Sequence, residues 1–431
     1  MSGTGEGGAP TATIGHPAGD PARAGGARPT GATVAAGAGA CLAGAAVIGV
    51  AFNLRPALAG FSPLTGDVGG SLDLGAGVLA LVTTLPLVCF AVFGPAAAPL
   101  AARFGPERVL VGTLILLAGG LLARTAGGTA ALVVGAVLVG VAIAVANVLL
   151  PGMVKRRFPH NVGLLTAVYA GVIGAGAAVA AGAAQPLMAV FGGWRGSLAF
   201  WALPALVAAA ILIPLARGVG AAPGAPAEPP TSLATSPGWP VTAALAAFFG
   251  LNSMVFYVEL AWLPEVLVGR GSSPGEAGLM LAAVQIVGLP LGFVVTAMAR
   301  TPKAQGRWAA AASAASALGF AGMLLAPDLP PHLWIVLFAC GVPAFPLSLA
   351  MVAMRADGPA QADRLSGFVQ SIGYLLAAAG PLAVGALYDL TGGWAAAMAG
   401  MTLVATVMTP VAWLCGYERN ESPPPGTSVK A

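Results

Sequence analysis

The sequence predicts an all-α integral membrane protein whose twelve transmembrane helices form two pseudo-symmetric halves of six. First, 58% of its 431 residues are hydrophobic and only 8% are charged, whereas a soluble domain carries roughly 25% charged residues. Second, the apolar residues fall into runs of about 20, the length at which an α-helix crosses a bilayer. Third, short motifs recur about 200 residues apart. A β-barrel would instead show alternating segments of roughly ten residues.

The predicted spans follow one another with short loops between them. They cover 37–63, 77–99, 109–124, 130–153, 162–190 and 197–216, then 240–266, 276–299, 308–326, 333–354, 365–390 and 394–416. The two halves are therefore 35–216 and 240–416, joined by a Pro-rich cytoplasmic linker at 217–239.

The two ends of the chain are predicted as cytoplasmic tails, 1–34 and 417–431. The first is rich in Gly, Ala, Pro and Thr and is predicted to be disordered. A secretory signal is the alternative for this segment, but the apolar run continues far past any cleavage site.

The Lys and Arg residues predict the orientation. If both termini are inside, fifteen of the nineteen Lys and Arg residues lie on the cytoplasmic side. Three lie outside, Arg124, Arg195 and Arg270, and Arg55 lies within the first span. Because cytoplasmic loops carry such an excess, we predict a multi-pass protein of a bacterial inner (plasma) membrane. The net charge of +4 is interpreted through this distribution and not as a sign of nucleic-acid binding. We therefore expect lipid and a small solute as partners, no nucleic acid, and a monomer.

An internal repeat supports the division into halves. Gly192-Gly193-Trp194 recurs as Gly392-Gly393-Trp394 at a spacing of 200, and Pro63 and Gly77 meet Pro264 and Gly278 at a spacing of 201. In transporters built from parallel repeats, the binding site lies near the membrane midplane between the halves. We expect the same arrangement here.

Arg55 is the strongest candidate for a functional residue. A guanidinium at bilayer depth costs roughly 2.5–3.5 kcal/mol on the insertion scale, so it persists where it faces a protein-lined or watery cavity. Its planar fork of donors suits small anions, nitro and carboxyl groups. The alternative is a structural role, with the side chain capped by backbone carbonyls or paired with a carboxylate. Asn53 and Pro56 flank it as a hydrogen-bonding group and a break in the helix.

The seventh span contributes an acidic candidate. Phe256 occupies the position equivalent to Arg55, and Glu259 follows one turn further outward. Asn252, Phe256 and Glu259 are spaced i, i+4, i+7 and share a helical face. Glu259 is the proton-coupling candidate, because its charge state would change as the cavity opens to either side. Alternatively it pairs with Arg55 or bonds a neighbouring helix.

Other polar side chains within spans complete the predicted site. The solute-binding candidates besides Arg55 are Asn53, Asn147, Tyr169, Phe256, Gln370 and Tyr374, and Tyr257 and Gln285 are further polar candidates. Alternatively, each polar group forms a hydrogen bond between helices, which stabilises a membrane protein by roughly 0.6 kcal/mol. Trp201 and Trp262 could wall the pocket or lie in a lipid-interface belt. Glu265 and Asp389, near span ends, are predicted to be solvated or to cap helices.

Catalytic motifs are missing from the sequence. His16, His160 and His332 lie in the tail or in loops, and no HExxH helix, Walker loop or G-x-S-x-G elbow stands out. The cysteines Cys41, Cys89, Cys340 and Cys415 show no metal-ligand spacing. We predict a protein that is not an enzyme, needs no cofactor or metal, and is not driven by ATP.

Several strings resemble the cyanate and nitroimidazole transporter family within the major facilitator superfamily. They are Asn53-Leu54-Arg55-Pro56-Ala57, Asn147-Val148-Leu149-Leu150-Pro151, Ala261-Trp262-Leu263-Pro264, Ala344-Phe345-Pro346-Leu347 and Leu365-Ser366-Gly367-Phe368. The resemblance implies rocker-switch alternating access along the first, fourth, seventh and tenth helices, and small polar or anionic solutes. Two features depart from the family: Ala102 precedes Arg103 where an Asp is usual, and Glu259 stands where a neutral residue is expected.

These observations predict a secondary transporter of a small polar or anionic organic solute, of the cyanate or nitroimidazole class, and proton coupling is a candidate mode of energising it. Two other functions remain open at this point. One is a proton-driven exporter of apolar compounds, with an aromatic pocket dominated by Glu259. The other is a membrane sensor or partner subunit that does not transport.

Overall fold

The computed structural model describes residues 31–159, 161–218, 238–355 and 359–416, and these residues are helical, with turns and short loops between the helices. Twelve helical segments within them are long and apolar enough to cross a membrane, and each overlaps one predicted span. The twelve-span fold class is therefore confirmed. Most of the predicted tails at 1–34 and 417–431 and of the predicted linker at 217–239 lies outside the described residues.

The chain divides into two compact units, Met1–Cys41 and Leu42–Ala431. All contacts given below lie within the second unit. The first half contains ten α-helices: α1 Gly31–Asn53, α2 Pro56–Ala59, α3 Thr65–Leu72, α4 Ala76–Phe93, α5 Ala97–Phe104, α6 Pro106–Ala123, α7 Thr129–Arg157, α8 Val162–Phe191, α9 Trp194–Phe200 and α10 Ala202–Gly218. Short 3₁₀ turns at Ser62–Leu64 and Gly94–Ala96 join pieces of the first and second spans.

The described residues of the second half form seven α-helices. They are α11 Trp239–Val268, α12 Pro274–Met298, α13 Pro302–Leu325, α14 Pro331–Gly341, α15 Ala344–Met354, α16 Pro359–Thr391 and α17 Ala395–Cys415. Prolines occupy the first helical positions of α12, α13 and α14, where the missing N–H costs no hydrogen bond. Ser273 and Glu276 also form a reciprocal capping box at the start of α12.

The repeat in the sequence is a repeat in the structure. Gly192 after α8 and Gly392 in the same place after α16 have φ angles of 71° and 69°, the left-handed conformation that glycine adopts without steric cost. Trp194 begins α9, and Trp394 caps the start of α17. The two halves therefore end their fifth spans with a left-handed glycine at the same position of the repeat.

Close helix contacts between the halves depend on glycines. A Cβ at Gly278 on α12 would lie 2.7 Å from the carbonyl oxygen of Ala181 on α8, and one at Gly385 on α16 would lie 2.6 Å from Cβ of Ala80 on α4. Small residues let helix backbones approach in this way within a membrane. These contacts hold α8 against α12 and α4 against α16.

Hydrogen bonds also join the halves near the ends of the first and seventh spans. Ser62 Oγ donates to the carbonyl oxygen of Ala261 at 2.9 Å, and Thr65 Oγ1 lies 2.6 Å from Glu265 Oε1. Nearby, the backbone N–H of Gly77 at the start of α4 donates to Asp389 Oδ2 at 2.7 Å. We call this end of the bundle the latched end. Glu265 and Asp389 thus bond across the halves.

A carboxylate near the loop between the second and third spans lies at the opposite end of the bundle. Glu107 in the first turn of α6 pairs with Arg157 in the last turn of α7, with 3.1 Å between Oε1 and Nη2. This ion pair lies within the first half and fixes α6 against α7. It lies close in sequence to Ala102, where the expected Asp is missing.

Candidate solute-binding site

The first span breaks at Leu54 and Arg55. Helix α1 ends at Asn53 and α2 begins at Pro56, whose ring removes the N–H that a continuous helix would need. Arg55 has φ −122° and ψ −30°, and its carbonyl accepts the first hydrogen bonds of α2 from Leu58 and Ala59. The break predicted from Pro56 is therefore present, and it places Arg55 at a helix start inside the bundle.

The Arg55 side chain lies between the two halves. It is 7% exposed, and its Nη1 donates to the hydroxyl oxygen of Tyr257 on α11 at 2.9 Å. The guanidinium carbon also lies 5.5 Å from the ring centre of Phe256 and 5.6 Å from that of Tyr257, within the range of cation–π attraction. Within the described residues no carboxylate pairs with Arg55. Its charge is met by a neutral hydroxyl and two rings.

Aromatic rings from both halves surround this contact. Tyr374 on α16 meets Phe90 and Phe249 edge-on at 5.4 and 5.2 Å and lies 6.3 Å from the Tyr257 ring. Phe345 on α15 lies 6.3 Å from Phe256. We call Arg55, Phe256, Tyr257 and Tyr374, with the rings of Phe90, Phe249 and Phe345, the Arg55 cluster. It combines a cation with flat apolar walls.

Three rings of the cluster were missed by the sequence reasoning. Phe90, Phe249 and Phe345 are apolar residues within apolar spans, so nothing in the pattern distinguishes them from core or lipid-facing side chains. Two weak signals exist: Phe249 precedes Phe256 by seven residues on one helical face, and Phe345 lies in one of the family-like strings.

Glu259 is buried on α11 but does not contact Arg55. It is 6% exposed, and its Oε1 has no hydrogen-bond partner among the described residues. Glu259 lies two residues beyond Tyr257, about 200° around the helix, so the two side chains leave α11 in nearly opposite directions. Asn252 Nδ2 and Ser253 Oγ are also buried without partners in the described chain. The alternative in which Glu259 pairs with Arg55 is not seen among the described residues.

The remaining predicted residues lie outside the cluster. Asn53 Nδ2 donates to the carbonyl oxygens of Gly49 at 2.8 Å and Pro204 at 3.2 Å, which ties α1 to α10. Gln370 donates to Ser366 on its own helix at 2.6 Å. Asn147 and Tyr169 are half-buried on α7 and α8, and neither bonds Arg55. Of the predicted set, the structure brings together Arg55, Phe256 and Tyr374.

Two tryptophans predicted as possible pocket walls belong to other contacts. Trp262 donates to the carbonyl oxygen of Pro381 at 3.1 Å and lies 5.6 Å from the Trp394 ring. Trp201 packs against Phe52 at 6.3 Å and Phe200 at 5.4 Å. Both support helix packing within their own half.

Arg124 differs from the expectation of an exposed loop cation. It follows the last residue of α6 and is only 1% exposed, because its side chain folds back onto α2 instead of extending to solvent. Nη1 donates to the carbonyl oxygen of Ala57 at 2.7 Å, and the guanidinium carbon lies 4.6 Å from the centre of the Phe61 ring. Among its described residues, the first half therefore buries two guanidinium groups.

A cavity of about 20 Å³ lies between Arg124 and the Arg55 cluster. Its lining is mostly apolar, with polar groups from Arg124, Tyr257 and Thr83. The full lining is Leu58, Phe61, Val82, Thr83, Leu87, Arg124, Tyr257, Leu260 and Ala261. A volume of this size holds about one water molecule.

Twelve spans in two repeated halves, with a buried cation and aromatic rings between them, define a membrane transport protein. The chain belongs to the Major Facilitator Superfamily, whose sequence profile matches residues 40–354. The D-xylose-proton symporter has the same fold, with a TM-score of 0.68 at 13% identity over 87% of this chain and 96% of that one.

Bacterial relatives are more similar in sequence. An uncharacterized transporter, YycB, of Bacillus subtilis (strain 168) is 36% identical over 81% of this chain and 87% of its own length. The 2-nitroimidazole transporter of Escherichia coli (strain K12) is 33% identical over 87% and 95%, and the cyanate transport protein CynX of the same organism is 28% identical over 80% and 89%. The family resemblance is confirmed.

These comparisons make the protein a transporter rather than an enzyme, acting on small molecules in a membrane. They give no support to the alternative of a sensor or partner subunit that does not transport. Within the described residues, no group of three His, Cys, Asp or Glu side chains is placed to hold a metal ion.

Proposed function

We propose that this protein is a secondary active transporter of a small polar or anionic organic solute, with Arg55 as the residue that binds the solute. The observation that carries the proposal is the environment of Arg55. The guanidinium is buried between the two halves, and among the described residues its hydrogen-bond partner is a neutral hydroxyl. A guanidinium has five N–H donors, so most of them remain available to a solute.

The solute class follows from the cluster's chemistry. The donors of Arg55 match the oxygens of a nitro or carboxylate group, and the edges and faces of Phe256 and Tyr374 suit a flat ring. The relatives named for 2-nitroimidazole and cyanate carry small solutes with such acceptors. Asn53, Asn147, Tyr169 and Gln370 remain proposed contributors, and solute binding would have to bring them into contact.

The side of the membrane to which the site opens follows from the charge distribution. The excess of Lys and Arg in the predicted cytoplasmic loops supports the proposal that both termini lie in the cytoplasm, at a bacterial inner membrane. The latched end is then the outer one, and the present conformation is closed toward the outside. Alternating access would open the latched end and close the other.

Glu259 is the proposed proton-carrying residue of this cycle. It is buried on α11, next but one to Tyr257, and its Oε1 has no partner among the described residues. A buried carboxylate without a cation is costly, so a change in its surroundings during opening would favour gain or loss of a proton.

A proton-driven exporter of apolar compounds is the second candidate function. The aromatic rings around Arg55 and the buried Glu259 favour it, whereas the uncompensated guanidinium opposes lipophilic cations as cargo. Efflux of ethidium from proteoliposomes would distinguish the two, because a transporter that uses Arg55 as an anion clamp should not carry it.

Uptake into proteoliposomes tests the proposed function. We expect Arg55→Met to abolish uptake of [¹⁴C]cyanate and of 2-nitroimidazole, and Arg55→Lys to reduce it strongly, because an ammonium lacks the planar fork. Arg195→Met is the matched control, since Arg195 is an exposed arginine of the same half that stacks on Trp194. Wild-type uptake by Arg55→Met at equal protein yield would remove Arg55 from the mechanism.

A further inference from the structure

The first half buries a second guanidinium that the proposed site does not use. Arg124 is less exposed than Arg55, and its Nε is buried without a hydrogen-bond partner among the described residues. Its contacts are the carbonyl oxygen of Ala57 and the face of Phe61. No carboxylate pairs with it in the described chain. A buried cation compensated only by one carbonyl dipole and one ring is expensive to maintain.

Tyr257 connects the two arginines. Its hydroxyl accepts the hydrogen bond from Arg55, and its side chain also lines the cavity that contains Arg124. One helical turn further toward the latched end, Ala261 lines the same cavity and its carbonyl oxygen accepts the hydrogen bond from Ser62. The cavity thus lies between the Arg55 cluster and the first of the bonds that hold the latched end together.

The cavity is formed by both halves, so its size depends on their separation. Thr83 and Arg124 belong to the first half, and Tyr257, Leu260 and Ala261 belong to the second. At about 20 Å³ it holds one water-sized group, which is smaller than cyanate or a nitroimidazole. Separation of Ser62 from Ala261 would enlarge it and expose the unpartnered Nε of Arg124.

We propose that Arg124 is a second solute-binding residue, which contacts an oxygen or nitrogen acceptor of a small planar anion or nitro compound when the latched end is open. Tyr257 then lies between this outer subsite and Arg55, so the solute passes from one guanidinium to the other. This inference rests on the proposed function. It assigns Arg124 to the outward-facing state and Arg55 to the state described here.

Transport from each side of the membrane tests the proposal. Half-saturating concentrations of [¹⁴C]cyanate and 2-nitroimidazole are measured in right-side-out and inside-out vesicles. For Arg124→Met we expect a rise of at least about tenfold on the outer side, the effect of losing a charge-assisted hydrogen bond, and a change below about twofold on the inner side. Arg195→Met is the control, because Arg195 also stacks on an aromatic ring and donates to a backbone carbonyl, that of Gly127, but is exposed.

Arg124→Lys keeps the test decisive if Arg124→Met does not fold. Lysine retains the charge and a donor for Ala57 but lacks the Nε donor, so we expect a severalfold rise on the outer side alone. Equal changes on both sides, or none on the outer side, would overturn the inference while leaving Arg55 in place. If the wild type carries neither probe, the proposed function itself fails, and the inference fails with it.

Discussion

The two halves share a topology but differ where solute would bind. The first span of the first half breaks at Leu54 and Arg55, whereas α11, its counterpart, runs unbroken from Trp239 to Val268 with Phe256 in place of Arg55. In the fourth and tenth spans the difference is reversed, since α7 is continuous and the tenth span breaks at Val342 and Pro343. The interruption in the first span and the interruption in the tenth span therefore have no counterpart at the equivalent position of the other half.

This difference indicates a division of labour between the halves. Among the described residues, the buried guanidiniums of Arg55 and Arg124 belong to the first half, and the buried Glu259, whose Oε1 has no hydrogen-bond partner there, belongs to the second. The latched end adds the carboxylates of Glu265 and Asp389 from the second half, which bond to the first. The two halves share the same helix topology, whereas the charged residues of the proposed site lie at positions where the two halves differ in sequence.

Arg124 and Arg270 also show how the two halves differ. At the end of the third span, Arg124 donates to a backbone carbonyl of the first span; at the end of the seventh, Arg270 donates to the carbonyl of Met323 in the ninth. Each arginine joins the first and third spans of its own half. Arg270 is half-buried in a loop, where desolvation lowers its pKa. Arg124, in contrast, lines a cavity between the halves.

The largest expected effect comes from removing the proposed proton-carrying residue, Glu259. We expect Glu259→Gln to abolish accumulation of 2-nitroimidazole driven by an imposed pH gradient, because an amide cannot carry a proton, while solute exchange at equal pH continues. Glu265→Gln is the matched control, an acidic residue on the same helix that bonds Thr65, and should still accumulate solute. Undiminished accumulation by Glu259→Gln would show that Glu259 does not carry the coupling proton.

The next test concerns the bond between the halves at the binding site. Tyr257→Phe removes the acceptor for Arg55 Nη1 and leaves the ring, so the guanidinium is less well oriented. We expect the half-saturating solute concentration to rise by about three- to tenfold, in line with a net hydrogen bond of about 1 kcal/mol. Tyr388→Phe is the control, because Tyr388 stacks on Trp394 at 4.3 Å away from the site. An unchanged value would mean that the rings alone orient Arg55.

The sequence predicted the fold well because the relevant signals are local. Runs of about 20 apolar residues mark the spans, and the motif at Gly192 recurs at Gly392 because the same turn requires the same left-handed glycine. Arg55 was found because a charge contrasts with an apolar run, and Pro56 indicated the break beside it.

The rest of the site depends on packing that the sequence does not encode locally. Arg124 occupies a span end like any loop cation, and only the position of α2 decides that its side chain folds inward. Asn53 is a predicted solute contact, and nothing in the sequence indicates that its side chain bonds backbone carbonyls of α1 and α10 in this conformation. Glu259 shares a helical face with Phe256, yet Arg55 donates its hydrogen bond to Tyr257, which lies on another face.

The smallest expected effect tests the latched end. Thr65→Val keeps the shape of the side chain but removes the hydroxyl that lies 2.6 Å from Glu265 Oε1. The loss of one net hydrogen bond, about 1 kcal/mol, should shift the population toward the conformation with the latched end open by about fivefold. Labelling of a cysteine introduced at Leu260, which lines the cavity, with an impermeant maleimide in a background without native cysteines would report the shift.

Thr402→Val provides the comparison for that measurement. The hydroxyl of Thr402 bonds the carbonyl of Met398 within its own helix, so its loss should leave the labelling rate unchanged. A faster rate for both variants would indicate general loosening, and no change for Thr65→Val would mean that the contacts of Gly278 and Gly385 hold the end shut without this bond. The opening of the latched end would then be governed by helix packing, and the carboxylate of Glu265 would have no part in it.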